Sequence, residues 1–132
     1  MFIAITTQKK DEMIDITDLI AQQIRTENFK DGFAFVFVPH TTAAVTINEN
    51  ADPKVVHDVT TILNKLIPWK DNYHHLEGNS AAHMKSILVG ASQWIRVENG
   101  ALVLGTWQSV FFCEFDGPRE RRFSIDLVPS MM

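Results

Sequence analysis

From His75 to Lys85 the chain carries two imidazoles (His75, His83), a carboxylate (Glu77), an amide (Asn79) and an ammonium (Lys85) within eleven residues. A surface loop has no need of so many ligand-type side chains; a site for a metal or a phosphate does. A third histidine, His40, closes an apolar run in Pro39-His40-Thr41-Thr42. If folding brings His40 to the His75–His83 stretch, three neutral imidazoles would hold one divalent cation and leave a coordination position open. Glu77 would orient a water or a ligating ring. The positive end of a helix starting near Ser80 would keep His83 in the neutral form that a metal requires. The competing reading makes His74 and His75 solvated loop residues and His83 an ordinary first-turn side chain.

Phosphate chemistry needs cationic donors. Lys85 is one candidate; Arg119, Arg121 and Arg122 follow a turn at Asp116-Gly117-Pro118. Glu120 stands among these arginines and favours a solvated hairpin end for Arg121 and Arg122, leaving Arg119. A further candidate is Gly105-Thr106-Trp107-Gln108, where a glycine entering a strand permits close ligand approach. With a strand over 106–115, Thr106, Gln108 and Glu114 share one face and Trp107 takes the other. Glu49, at a strand end before the Asp52-Pro53 cap, could reach a site at that end, although the turn alone also explains its presence. Cys113 lies in an apolar strand and reads as inert.

Several chemistries are excluded by what is missing. The single cysteine allows neither an internal disulfide nor a paired Cys-x-x-Cys zinc site. His75-x-Glu77 lacks the Pro-Cys-x-x-Cys partner of nucleobase deaminases. There is no Gly-x-Ser-x-Gly elbow and no glycine-rich phosphate loop. With 132 residues, 45% hydrophobic and 21% charged, the chain fits one domain over 1–132 with one sizeable core. A net charge of −4 argues against nucleic acid as a partner, while a small phosphorylated ligand remains compatible with a local basic pocket. No apolar run approaches the length of a membrane span. The lone cysteine makes a reducing, cytoplasmic setting the expected one; the first residues have neither a basic segment nor a long enough apolar run for a signal peptide.

The elements that must position these groups follow from periodicity. Residues 2–7 read as a strand. Asp15 or Thr17 caps a helix to about Glu27 with Ile16, Leu19, Ile20 and Ile24 on one face. The run 33–38 reads as a buried strand with Phe33, Phe35 and Phe37 in the core, and 43–48 as another. Asp52-Pro53 starts a helix with Val55, Val56, Val59, Ile62, Leu63 and Leu66 at helical spacing, ending at Pro68. A polar loop over 69–79 leads to a short helix over 81–89, capped by Ser80 and ended by Gly90. Strands are expected over 92–97, 101–104, 106–115 and 121–128, with turns at Glu98-Asn99-Gly100 and Asp116-Gly117-Pro118. Phe111 and Phe115 are expected in the core. Short turns between strands argue an α+β fold: an antiparallel β-sandwich, jelly-roll-like, with two or three helices packed outside.

These motifs together resemble the YjbQ-like family, whose members are described as secondary thiamine-phosphate synthases. The resemblance rests on His40-Thr41-Thr42-Ala43-Ala44, Asn48-Glu49-Asn50-Ala51-Asp52-Pro53, Glu77-Gly78-Asn79, Ala82-His83-x-Lys85-Ser86, Gly100-x-Leu102-x-Leu104-Gly105-Thr106-Trp107-Gln108 and Glu114-Phe115-Asp116-Gly117-Pro118-Arg119. They occur in the family's order and span nearly the whole chain. The resemblance implies an antiparallel sandwich assembled as a homotrimer, with pockets at or near subunit boundaries lined by His40, His75 and His83. The family pattern has a histidine just before Glu-Gly-Asn; His74 and His75 both stand there, and His75 is taken for its spacing to Glu77. A divalent metal, zinc or magnesium, is then held by the three histidines. Glu77, Lys85 and Arg119 take catalytic roles, and Asn79, Thr106, Gln108 and Glu49 bind substrate. The implied activity, a weak secondary one, joins a pyrimidine diphosphate to a thiazole phosphate with loss of pyrophosphate. A metal-dependent phosphate-ester hydrolase and a non-catalytic trimeric metabolite-binding module are the rivals.

Overall fold

A computed structural model describes residues 1–131. In chain order its elements are β1 (Phe2–Thr6), β2 (Glu12–Asp15), α1 (Thr17–Thr26), β3 (Gly32–Phe37), β4 (Ala43–Glu49), α2 (Pro53–Leu66), α3 (Ser80–Val89), β5 (Ser92–Glu98), β6 (Ala101–Leu102), β7 (Gln108–Glu114) and β8 (Glu120–Pro129). All strand pairs are antiparallel. A five-stranded sheet runs β1-β8-β3-β5-β6 and a three-stranded sheet runs β2-β7-β4.

The sheets share a core because their inward positions are apolar, mostly alanine and branched residues with two phenylalanines. Ala34 and Val36 of β3, Ile95 and Val97 of β5, and Phe123 and Ile125 of β8 meet Val45 of β4 and Val110 and Phe112 of β7. Ile16, Ile20 and Ile24 close this core from α1. The other face of the small sheet carries a second apolar cluster of Ala44, Phe111, Cys113 and Phe115 with Ala82, against which Val56 and Leu63 of α2 pack. The expected α+β sandwich with helices outside is the observed fold.

Four local expectations are corrected. Phe33, Phe35 and Phe37 are not core: β3 alternates phenylalanine with alanine or valine, and the gap between sheets takes the smaller set. The rings lie outside, with Trp94 at 4.5 Å from Phe35 and Arg96 5.0 Å from the Phe33 ring centre. The short strand β2 was not expected, since only Met13 and Ile14 mark it as apolar. Strand β7 begins at Gln108, so Thr106 and Trp107 belong to the preceding turn. Ser80 is the first residue of α3 and Asn79 holds the cap position, without a side-chain capping bond.

Helix α2 starts as its sequence demands: Asp52 Oδ1 accepts the Lys54 N–H at 2.9 Å and Pro53 occupies the first turn. Yet none of its residues is fully buried, and Ile62 and Leu66 are exposed. It lies lightly over the small sheet. By contrast α3 buries Ala81, Ala82, Lys85 and Ser86. Gly90 ends it at φ +101°, a conformation that favours glycine. Among the described residues no helix is long and apolar enough to cross a membrane.

Candidate functional site

The polar loop before α3 and the first turn of that helix bring two imidazoles together. The His75 and His83 ring centres are 5.5 Å apart, edge to face at 80°. It is His75, not His74, that makes this contact. Glu77 Oε1 lies 3.9 Å from His75 Nε2, with both side chains open to solvent. His83 is half-buried and shares a shallow cavity of about 330 Å³ with His40, Thr41, Ser86 and Ile87. All three histidines therefore belong to one side of the molecule.

His40 is fixed by the main chain. Its Nε2 lies 3.1 Å from both the N–H and the C=O of Arg122; in the tautomer that donates Nε2–H to that carbonyl, Nδ1 carries the lone pair that can meet a ligand. Burial, and then the positive charge of Arg121, push its pKa below the ordinary imidazole value. Near neutral pH the ring is uncharged, the state a cation needs. Among the described residues no three His, Cys, Asp or Glu side chains of one chain converge closely enough to hold a metal ion. One chain thus supplies a histidine pair, with His40 on the wall of the same cavity.

At the N-terminus of α3, Asn79 is 8% exposed, and its Nδ2 donates to Asp116 Oδ2 at 2.9 Å. Arg119 Nη2 donates to that same oxygen at 3.0 Å, and Arg119 Nε donates to the Asp116 carbonyl at 2.9 Å. The carboxylate fixes the orientation of the amide, because only the NH2 end can face it. Among the described residues Asn79 Oδ1 is then buried without a partner. A buried acceptor left empty is costly and marks a place where a donor belongs.

Lys85 goes elsewhere. Two residues beyond His83 it projects about 200° further round the helix. Its ammonium is 1% exposed and donates to Asn64 Oδ1 at 2.5 Å and Asp11 Oδ1 at 3.3 Å. It lines a separate cavity of about 330 Å³ between α2, α3 and the small sheet. Glu49, Thr106 and Gln108 lie in a third place. Glu49 pairs with Gln108 at the end of β4 remote from Ala43, six steps of about 3.3 Å along the strand, or about 20 Å. Gln108 Oε1 accepts the Gly105 N–H at 2.8 Å and closes the turn that holds the exposed Thr106. Of the face proposed for Thr106, Gln108 and Glu114, Thr106 precedes the strand, and Gln108 and Glu114 share a side with the core residues Val110 and Phe112, where Glu114 is fully buried.

Sequence reasoning missed the most elaborate polar cluster. Arg121, expected to be solvated, is 5% exposed and forks onto Glu114, with Nε to Oε1 at 2.8 Å and Nη2 to Oε2 at 2.5 Å. Nη2 also donates to Thr42 Oγ1 at 2.7 Å, and Thr7 Oγ1 donates to Glu114 Oε1 at 2.8 Å. Burial alone would raise the Glu114 pKa. The bonds from Arg121, the Asp116 N–H and Thr7 outweigh it, and the net shift is downward. The signal was a lone carboxylate in an apolar strand, seven residues before an arginine across a Gly-Pro turn. Cys113 is as inert as expected: burial pushes its thiol up to about 12.

The family model "UPF0047 protein YjbQ-like" matches residues 1–130. The chain belongs to the YjbQ-like UPF0047 family. A UPF0047 protein of Methanocaldococcus jannaschii is 54% identical over 94% of this chain and 90% of its own length. The UPF0047 protein YugU of Bacillus subtilis is 50% identical over 96% of each. A crystal structure of a YjbQ/UPF0047 protein from Clostridium acetobutylicum, described as uncharacterized, superposes with a TM-score of 0.95 at 48% identity, covering 97% of this chain and 99% of that one. A YjbQ-like protein of unknown function from Sulfolobus solfataricus gives 0.93 at 31% identity, covering 98% and 95%.

Proposed function

We propose that this YjbQ-like protein is a metal-assisted enzyme acting on a small phosphorylated metabolite at the histidine cleft, as a homotrimer. The observation that carries the reading is the close His75–His83 ring pair on the same face as His40, whose charged form its surroundings disfavour. His75 and His83, with Nδ1 of His40, would hold a divalent cation; nitrogen donors favour zinc over magnesium. Such an ion supplies charge neutralisation to a phosphate or diphosphate group. Two observations support assembly: one chain does not close the ligand set, and Glu49 and Gln108 lie about 20 Å along β4 from Ala43, whose carbonyl Ser86 of α3 holds. A site built between protomers reunites such groups.

The chain's own residues then act as follows. The first turn of α3 and the half-exposed Arg119 guanidinium bind the anionic end of the substrate. Asp116 orients Arg119 and Asn79 together. Asn79 Oδ1 accepts a substrate N–H or O–H. Glu77 steadies His75.

Thiamine-phosphate synthesis is the candidate activity. A thiazole nitrogen forms the new bond to a pyrimidinylmethyl carbon, and pyrophosphate leaves with the electrons of the broken C–O bond. The test measures pyrophosphate release with and without the thiazole phosphate. Release that requires the acceptor and disappears in His83→Ala supports the synthase reading. Release without acceptor would make it a hydrolase, and binding without turnover a metabolite-binding module.

A further inference from the structure

The cavity beneath α2 is not used by the histidine cleft. It lies between the outer face of the small sheet and the two later helices, with about 330 Å³ of accessible space. That is enough for a molecule of one or two rings. Its walls are mixed: Val59, Leu63 and Phe115 are apolar, while Thr46, Asn48 and Asp11 are polar.

The decisive group is Lys85. An ammonium has three N–H donors. Two are taken by Asn64 Oδ1 and Asp11 Oδ1. Among the described residues the third has only the Phe115 ring, with Nζ 5.8 Å from its centre. A buried cation with a spare donor, on the wall of a cavity that size, is a binding group awaiting an acceptor.

Charge decides the class of acceptor. The charged residues on the cavity wall are Asp11, Glu12, Glu114 and Lys85. Glu114 is neutralised by Arg121, and Asp11 by Lys85. Glu12 is left over, engaged among the described residues by the Gln8 N–H alone, at 2.7 Å. An anionic ligand would enter a lining that is already net negative. An uncharged ligand suffers no such repulsion. It can accept from Lys85 through a carbonyl or ring nitrogen and donate to the neighbouring carboxylates or the Asn48 amide.

We propose that this cavity is a second binding site, taking an uncharged heterocycle of one or two rings whose edge carries a hydrogen-bond acceptor beside a donor. Entry is through α2, which buries no residue completely. Asn64 on α2 accepts from Lys85 and its Nδ2 lies 3.4 Å from Asp11 Oδ2, so the helix is latched to the floor of the site by one amide. The proposal is independent of the function assigned to the histidine cleft.

The experiment titrates the isotope-labelled full chain with uracil, adenine and nicotinamide, and separately with benzoate and inorganic phosphate, following backbone amide resonances. The uncharged heterocycles should shift resonances of residues 46–48, 59–64 and 85–89, leaving those of 74–77 and 40–41 in place. Leu88 is 57% exposed and lines the cavity, so Leu88→Trp fills the space from the solvent side with little risk to folding. It should weaken binding at least about ten-fold, as should Val59→Trp from the opposite wall. Absence of shifts at about 5 mM of every heterocycle, a dissociation constant too weak to matter, would overturn the proposal. So would tighter binding of the anions at the same resonances, or heterocycle binding unchanged in both filled variants.

Discussion

Two sites leave the same helix in opposite directions. His83 faces a shallow, open cleft, and Lys85 is sealed against Asp11 and Asn64 under α2. In the cleft the side chains are half-exposed or exposed, held by ring contact and loop backbone. In the cavity the cation is 1% exposed and has two fixed partners. The difference teaches that closeness in sequence on a helix is not closeness in a site: residues two apart fall on opposite faces. An open cleft can be completed by an ion, a ligand or a second protomer. A latched cavity is preorganised by its own chain.

The largest effect on both regions should come from Arg121, which backs His40 on one side and neutralises Glu114 on the cavity wall. Arg121→Met leaves a buried carboxylate without its counter-charge and should cost about 3–5 kcal/mol, read from urea denaturation. The pair also sets the acid limb of stability. Because the folded Glu114 pKa lies below its usual value of 4.5, its contribution is complete above about that pH and is lost as pH falls through the folded value. A Glu114→Gln/Arg121→Met double variant should show a flatter decline below pH 4.5 than the wild type.

A smaller effect separates the two regions. Lys85→Met should cost about 1–3 kcal/mol by unpairing Asp11 and Asn64, and hydrogen exchange should accelerate in α2 while the amides of 74–79 are unaffected. His83→Ala should do the reverse. It should change stability by less than about 1 kcal/mol, yet weaken zinc binding by at least roughly ten-fold in calorimetric titration. The smallest effect is at His40. Its ring should titrate by NMR below the ordinary value of 6.5, since burial and Arg121 disfavour its charge. The sign for stability follows: as pH drops below 6.5 the unfolded ring takes a proton first, and the folded state loses ground until its own lower pKa is passed.

Much of this architecture could be read from local signals. Asp52-Pro53 caps α2 as expected, and Asn99-Gly100 turns β5 into β6 with both residues at positive φ. The loop over 69–79 and the short α3 with Gly90 at its end also hold. What was not legible is which side of an element faces what. The apolar run of β3 has no polar residue to reveal its outer face, so the aromatic side was read as core. Arg121 was read as solvated because its partner Glu114 lies across a turn, on another strand. For the candidate site, spacing put His75 and His83 together correctly. It also suggested that Lys85 joined them, since a helical phase error is invisible in a short motif. The distance between His83 and the Gly105–Gln108 turn depends on sheet topology, which no local pattern encodes.

The central claim is that the histidine cleft holds a divalent cation. It is tested most directly by soaking crystals in zinc and collecting anomalous data at the zinc edge. A peak within about 2.0–2.1 Å of nitrogens of both His75 and His83, with a third ligand from His40 or a neighbouring protomer, is the expected result. A map with no peak at those rings under saturating zinc, or with zinc bound only at other side chains, would contradict it.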